Sequence, residues 1–227
     1  MSYFGDIRIG RMPLGEVEIA KAYIGSDLVF QKGGITPPTP SRLPDGYTEV
    51  EYIENATTAR INTGINGNST WTLVAMLVTE SSTTPVLFGR NTSGGHYFGS
   101  IPGASHKWGM GSSTGQYVST SSLIKTTIEI RVTSNKVMSG TINDESFTRT
   151  ASSNNTANFF LFNASSSANY PFKGRLYGDV VCIKSGDEVF RGVPCKNASG
   201  VAGLYDLVNN VFKGSSNSAS LIAGPEI

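Results

Sequence analysis

Short alternations of apolar and polar residues, separated by clusters of turn-forming residues, run along most of this chain. After residue 44 the apolar runs are short and closely spaced, and none has the 3.6-residue period of an amphipathic helix. The predicted strands are 47–53, 71–78, 86–89, 96–101, 126–132, 136–142, 145–150, 158–162, 175–183, 188–194, 203–206 and 211–212. This spacing predicts an all-β antiparallel sandwich or jelly roll and argues against a parallel α/β fold.

A proline-rich segment divides the chain. Residues 34–44 contain four prolines, which exclude a helix or a central strand and predict a semi-stiff linker. Before it, residues 1–33 contain apolar runs that meet at Gly25-Ser26, which is a hairpin pattern. A module this short buries little surface, so we expect it to dock on a partner. The predicted organisation is a small β module at 1–33, the linker, and a larger β domain at 45–227.

Composition narrows the possible functions. The chain has 18 Lys and Arg against 17 Asp and Glu, a net charge of +1, and only 15% charged residues. Such a neutral chain lacks the basic surface that binds nucleic acid or acidic membranes. The sequence has no apolar run of membrane-spanning length and no signal-peptide pattern. We therefore expect no nucleic-acid partner, no membrane insertion and no cofactor.

The two cysteines flank a predicted hairpin turn at Ser185-Gly186. With the turn there, Cys182 faces position 189 or 190, and Cys195 lies about five residues further along the partner strand, roughly 17 Å away. That distance exceeds the reach of a disulfide. We predict two free, buried thiols.

Both ends of the larger domain resemble one known domain. The first end is 43–54 (LPDGYTEVEYIE) with 59–65 (ARINTGI), and the second comprises 174–178 (GRLYG), 191–195 (RGVPC) and 203–210 (GLYDLVNN). These segments resemble a concanavalin A-like (laminin-G-like) jelly roll that recurs in structural proteins of phages of gut bacteria. The resemblance implies a two-layer antiparallel jelly roll whose first and last segments pair. Residues 22–32 (AYIGSDLVFQK) are similar to a short module at the front of phage tail and head-appendage proteins.

The resemblance implies a virion protein, because family members serve as decoration, fibre or receptor-contact domains. We expect a non-enzymatic bacteriophage structural protein (fibre, capsid decoration or tail appendage) that is assembled in the host bacterial cytoplasm and located in the virion. Its expected partners are other virion proteins, bound through residues 1–33, and further copies of itself. The expected anchoring residues are the apolar side chains Ile7, Ile9, Tyr23, Ile24, Leu28 and Phe30.

A receptor-binding lectin that recognises a host-surface polysaccharide is the alternative function. Sugars bind to aromatic platforms with amide and guanidinium donors nearby. The cluster with this chemistry is Arg90, Asn91, His96, Tyr97, His106 and Trp108. The competing interpretation is that Tyr97 and Trp108 pack inside the sandwich.

A glycan hydrolase is the third functional class. Glu49, Glu51 and Glu54 resemble the Glu-x-Asp-x-x-Glu motif of jelly-roll glycan hydrolases, with Glu in place of the Asp. A retaining mechanism needs two adjacent carboxyl groups, whereas a regular strand places Glu49 and Glu51 on one face and Glu54 on the other. We predict a solvated strand face and no catalytic residue.

Two further motifs have simple structural interpretations. Ser113 lies in a G-x-S-x-G match, but both histidines precede it and no helix follows, so we predict a loop. The histidines lack a third ligand at zinc-like spacing. Asp206 to Asn210 either supply oxygen ligands to calcium or form a turn between two strands. The resemblance favours the turn, and we expect no metal site.

Overall fold

The computed structural model describes part of the chain as two compact units. The described residues are 2–4, 7–9, 21–24, 27–31, 41–78, 85–90, 96–101, 107–110, 117–119, 125–133, 137–142, 145–150, 157–164 and 171–227. The units are Met1–Pro44 and Asp45–Ile227. No helix occurs in these described ranges.

The smaller unit contains one antiparallel sheet. Its strands are β1 (Ser2–Phe4), β2 (Ile7–Ile9), β3 (Lys21–Ile24) and β4 (Asp27–Gln31), and they pair in chain order. Ile24 lies opposite Asp27, which confirms the predicted hairpin of β3 and β4. The sheet is larger than that hairpin, because β2 pairs with β3 and β1 pairs with β2.

The larger unit is an antiparallel β-sandwich, as predicted. Its strands are β5 (Tyr47–Glu49), β6 (Tyr52–Asn55), β7 (Ile61–Asn62), β8 (Ser69–Leu77), β9 (Val86–Arg90), β10 (His96–Ile101), β11 (Lys107–Met110), β12 (Tyr117–Ser119), β13 (Thr126–Val132), β14 (Val137–Ile142), β15 (Glu145–Thr150), β16 (Phe160–Leu161), β17 (Gly174–Lys184), β18 (Asp187–Asn197), β19 (Ala202–Asp206), β20 (Val211–Lys213) and β21 (Ile222–Ala223).

The strands form two sheets. The smaller sheet has the order β12-β11-β10-β9-β16-β7. The larger sheet has the order β15-β14-β13-β8-β17-β18-β19-β20, and β5, β6 and β21 join it beside this path. The long strand β17 pairs with β6 through its first half and with β18 through its second half. The two halves meet at Gly178, which has a φ of 56° and interrupts the pairing with β8.

The alternation of buried and more exposed residues along β8 defines the two faces of the larger sheet. Trp71, Leu73 and Ala75 are fully buried, whereas the intervening residues are exposed or half-buried. The Trp71 ring lies 5.0 Å from the ring of Phe88 on β9, centre to centre, so the two sheets pack face to face. The core lies between them, because an amphipathic strand buries its apolar side against the opposite sheet. We call the opposite side of the larger sheet its outer face.

The predicted strand 47–53 is interrupted at Val50 and Glu51. β5 pairs with β18 and β6 pairs with β17, so the chain changes partner strands between them. The end of the chain lies along this junction: β21 pairs with β6, and Val50 forms a bridge with Glu226. The first and last segments of the sandwich therefore lie side by side.

Candidate functional site

The structure describes only part of the predicted glycan-contact cluster. Asn91 and His106 lie outside the described residues. His96 and Tyr97 lie on β10, opposite Arg90 and Gly89 of β9, and Trp108 lies on β11 opposite Ser100. These three residues are described as strand positions alone, so their contact with a glycan stays a prediction. Ser113 also lies outside the described residues.

Arg90 has a different place from the predicted one. Its side chain is fully buried, and its Cζ lies 4.9 Å from the centre of the Phe159 ring. Burial lowers the pKa of the Arg90 guanidinium from its ordinary value. A guanidinium inside the sandwich does not offer hydrogen bonds to an external polysaccharide. The predicted role of Arg90 as a surface donor is therefore not supported.

The expected anchoring residues lie on three paired strands of the smaller unit. Their positions are Ile7 and Ile9 on β2, Tyr23 and Ile24 on β3, and Leu28 and Phe30 on β4. Ile7 lies opposite Ile24, and Tyr23 lies opposite Leu28. The pairing thus brings residues from distant parts of the module into one sheet. Their role in attachment stays a prediction.

The prediction that Glu49 and Glu54 lie on opposite faces is wrong, because Glu49 lies opposite Cys195, which is also outside the main core. Glu54 lies opposite Arg175 on the outer face, and the Arg175 Nε donates to Glu54 Oε2 at 2.7 Å. Lys125 Nζ donates to Glu51 Oε1 at 2.6 Å. The prediction assumed a regular strand, but the chain changes partners at Glu51. Glu51 and Glu54 thus each form an ion pair with a basic side chain.

These ion pairs belong to one connected group of side chains, which we call the tyrosine cluster. It consists of Tyr52, Tyr177, Arg175, Lys125, Glu51 and Glu54. The rings of Tyr52 and Tyr177 lie 5.2 Å apart because the two residues are opposite each other on β6 and β17. Arg175 Cζ lies 4.3 Å from the Tyr52 ring centre, and Lys125 Nζ lies 4.0 Å from the Tyr177 ring centre. Cations at these distances interact favourably with the ring faces.

The electrostatics of the tyrosine cluster favour the charged form of Arg175. Hydrogen bonds to Tyr177 and Glu54 raise the pKa of Arg175 above its ordinary value. The charges of Arg175 and Lys125 are balanced by those of Glu54 and Glu51. Each tyrosine ring already has a cationic group over one face. Tyr177 is also 7% exposed. The cluster is therefore a structural bridge between strands and leaves little ring surface for a ligand.

A second group of rings, the aromatic patch, consists of Tyr47, Tyr205 and Phe212. The Tyr47 ring lies 4.7 Å from Tyr205 and 5.5 Å from Phe212, centre to centre. Three strands supply the rings: β5 from one side of β18, and β19 and β20 from the other. Gly203 makes room for the ring of Phe212, since a Cβ at position 203 would lie 2.7 Å from that ring.

The aromatic patch covers the outer face and still meets solvent. Strand register places Val193 opposite Tyr205 and Cys195 opposite Gly203, outside the main core. Both Val193 and Cys195 are nevertheless fully buried, because the rings lie over this part of the sheet. Tyr47 and Phe212 are half-buried. Half-buried rings on an open sheet surface can stack on a sugar, whose apolar face fits an aromatic ring.

The segment from Asp206 to Asn210 forms the predicted turn. Asp206 is fully buried, and its Oδ1 accepts hydrogen bonds from the backbone N–H groups of Arg191, Val208 and Asn209. The Asn209 amide donates to Asp206 Oδ2 at 2.7 Å. Asn210 has a φ of 52°, a conformation that Asn tolerates better than most residues. The carboxylate thus closes the hairpin of β19 and β20.

Arg191 links this turn to the irregularity in β17. Its Nη1 donates to Asp179 at 2.9 Å, while its Nε and Nη2 donate to Glu188 at 2.8 and 2.5 Å. The two bonds that Arg191 donates to Glu188 lower the pKa of the Glu188 carboxyl from its ordinary value. No group of three or more His, Cys, Asp or Glu residues that could hold a metal occurs among the described residues.

The two cysteines are free and buried, as predicted. Cys182 lies opposite Phe190 and belongs to the main core. Burial raises the pKa of each thiol to about 12.

The aromatic patch was not predicted from the sequence. Tyr205 and Phe212 lie opposite each other on β19 and β20, and the Asn209-Asn210 turn predicted from the sequence would have indicated that pairing. Nothing local indicates the contribution of Tyr47. Its place depends on the pairing of β5 with β18, which joins segments far apart in the chain.

The described part of the larger unit defines a class of protein: an all-β sandwich of two antiparallel sheets with aromatic clusters on the outer face of the larger sheet. Comparison with protein-family models, with curated proteins and with solved structures finds no match to this chain. Among the residues described, no helix is long and apolar enough to span a membrane.

Proposed function

We propose that this chain is a non-enzymatic structural protein of a bacteriophage virion, a fibre, decoration or appendage. Residues 1–33 attach it to other virion proteins, and the sandwich is displayed. The observation that carries the proposal is the division into a small β unit and a larger sandwich after Pro44. The resemblance of the sandwich ends to a phage jelly roll supports the location in the virion.

The carboxylates of the hydrolase-like motif support a role without catalysis. A retaining glycosidase uses one carboxyl group as an acid with a raised pKa and a second as a nucleophile. Here Glu54 is paired with Arg175 and Glu51 with Lys125. Each carboxylate thus has a cation, and not a second carboxyl group, as its described partner.

Attachment can be tested in particles assembled during infection. Tagged full-length chain and residues 34–227 are produced in infected host cells, and purified particles are probed for the tag. We expect the full chain in the particles and the truncated chain in the unassembled fraction. A point variant, Tyr23→Asp, should behave like the truncation, whereas Ile183→Asp, at a residue 43% exposed on the sandwich, serves as the matched control. Equal incorporation of all four chains would overturn the anchoring role.

Glycan binding is the second candidate function, and the aromatic patch favours it. The patch places Tyr47 and Phe212, both half-buried, together on the outer face. Such a surface suits a sugar ring, and host polysaccharide is the partner expected of a receptor-contact domain. The sandwich would then contact the host cell.

A glycan array and intact bacterial cells test this candidate. We expect saturable, competable binding by the full chain, lost in Tyr47→Ala and Phe212→Ala and retained in Ile183→Ala. Near-UV circular dichroism confirms that each variant is folded. If both patch variants still bind glycan, the binding site is not the aromatic patch, and variants of Tyr97 and Trp108 would then be compared. Absence of binding by the folded chain would leave the decoration role.

A further inference from the structure

The loop between β7 and β8 contains the one Asn-Gly dipeptide of the sequence, Asn66-Gly67. Asn66 is exposed. Gly67 has a φ of 75°, a conformation that favours glycine. Neither residue belongs to a strand. Asn66 therefore lies at the surface, and the residue after it has no side chain.

A lysine lies at the same peptide group. Lys184, at the end of β17, donates from Nζ to the carbonyl oxygen of Asn66 at 3.3 Å. Its Nζ also lies 3.7 Å from the position that a Gly67 Cβ would occupy. The Asn66 carbonyl and the Gly67 N–H belong to one peptide unit, which is conjugated. A cation at the oxygen stabilises the negative charge that this unit acquires when the nitrogen loses its proton.

We propose that Asn66 is a site of spontaneous deamidation that Lys184 promotes. The Gly67 nitrogen loses its proton and attacks the side-chain amide carbon of Asn66. A new C–N bond forms, the bond to the side-chain amide nitrogen breaks, and that nitrogen takes up one proton, which replaces the one lost from Gly67, and leaves as ammonia. Water then opens the resulting succinimide at either of its two carbonyl carbons and gives aspartate or isoaspartate. Asparagine is a thermolabile residue in proteins, and this site is independent of the proposed virion role.

The loop connects the modification to the core. Ser69 Oγ donates to the Gly67 carbonyl oxygen at 3.3 Å, and Trp71 Nε1 donates to Ser69 Oγ at 2.9 Å. Isoaspartate adds one carbon to the main chain immediately before Gly67. Two hydrogen bonds thus connect the modified loop to the buried Trp71, and we expect a change in tryptophan fluorescence to accompany the change in mass.

The test uses the folded full-length chain, incubated at mildly alkaline pH in buffer free of ammonia. Mass spectrometry of peptides measures conversion at Asn66 and, in the same sample, at the exposed Asn68, which precedes serine. We expect faster conversion at Asn66, with both aspartate and isoaspartate present. Lys184→Gln should slow it about two- to fivefold, the range for an exposed charge interaction, and Lys184→Arg should retain most of the rate.

Two results would overturn the proposal. If conversion at Asn66 is no faster than at Asn68, Asn66 is not a favoured deamidation site. If Lys184→Gln deamidates at the same rate as the unaltered chain, Lys184 does not promote the reaction. Gly67→Ala is a second variant for the site itself, because an added methyl group crowds the attacking nitrogen and an alanine there is strained at a φ of 75°. Its conversion should fall further than that of Lys184→Gln.

Discussion

Arg175 and Glu54 form an ion pair across β17 and β6, with 2.7 Å between Nε and Oε2. The same guanidinium lies over the Tyr52 ring. The side chains of Arg175 and Glu54 are 29% and 16% exposed. The pair is thus more shielded from water than most surface ion pairs, and it joins the start of the sandwich to the strand at its centre.

We expect Arg175→Met to lower the free energy of unfolding by about 1–2 kcal/mol, because it removes the ion pair and the cation over the ring while keeping an apolar stem. Urea denaturation measures the loss. Lys125→Met is the matched control: it removes a cation that is 53% exposed, and exposed pairs contribute roughly 0–1 kcal/mol. If both variants lose the same free energy of unfolding, the shielding of the Arg175–Glu54 pair from water does not strengthen it.

The sequence indicates the strands of the sandwich well because their signal is local. The predicted 96–101, 126–132 and 145–150 coincide with β10, β13 and β15, and the turn at Ser185-Gly186 lies between β17 and β18. Alternation of apolar residues and turn chemistry are sufficient for such elements.

The sequence indicates the candidate site less well because strand pairing between distant segments creates it. Arg175 and Glu54 are 121 residues apart in the chain. Arg90 looked like a surface donor because it begins a polar stretch, but β9 lies between β10 and β16 and its end is buried. The break at Glu51 follows from a change of partner strand, which local alternation does not encode.

Asp206 should be required for the β19–β20 hairpin. We expect Asp206→Ala to lower the free energy of unfolding by about 2–4 kcal/mol, because several backbone N–H groups would lose their buried acceptor. Asn209→Ala, which removes a single side-chain donor to this carboxylate, should cost about 1 kcal/mol. Calcium or a chelator should leave the melting temperature of the unaltered chain unchanged, since the turn itself occupies the carboxylate. A calcium-dependent shift that Asp206→Ala abolishes would support the calcium interpretation instead.

The buried thiols predict a loss of stability at alkaline pH. Each cysteine has a folded pKa of about 12 against an ordinary value of 9.0, because burial disfavours the thiolate. Between these values the unfolded chain has released protons that the folded chain retains, so stability is full below about pH 9 and falls as the pH rises toward 12. From pH 8 to pH 10 we expect each thiol to cost about 1 kcal/mol.

Unfolding of the unaltered chain and of Cys195→Ala is measured at both pH values. The difference between the two proteins isolates the contribution of the Cys195 thiol, since every other side chain is common to both. The alkaline loss should be about 1 kcal/mol smaller in the variant. Both native thiols should also resist alkylation near neutral pH until denaturant is added. Rapid alkylation of Cys195 in the folded chain would show that the aromatic patch opens readily.

The last six residues should stabilise the junction of β5 and β6. Pro225 O accepts from the Glu51 N–H, Gly224 N–H donates to Tyr52 O, and β21 pairs with β6. Removing residues 222–227 leaves these backbone groups unpaired above the buried Val50 and Ile53. We expect a loss of about 3–5 kcal/mol, from several hydrogen bonds worth roughly 0.5–1.5 kcal/mol each and from newly exposed apolar surface.

Glu226→Ala is the matched control. It removes only the ion pair with Lys196, in which the side chains of Glu226 and Lys196 are 60% and 33% exposed, and it should cost less than about 1 kcal/mol. If hydrogen exchange showed the amides of residues 49–54 equally protected in the truncated and full chains, the tail would have no such role. Protection lost there but kept in β13 would locate the effect at the junction.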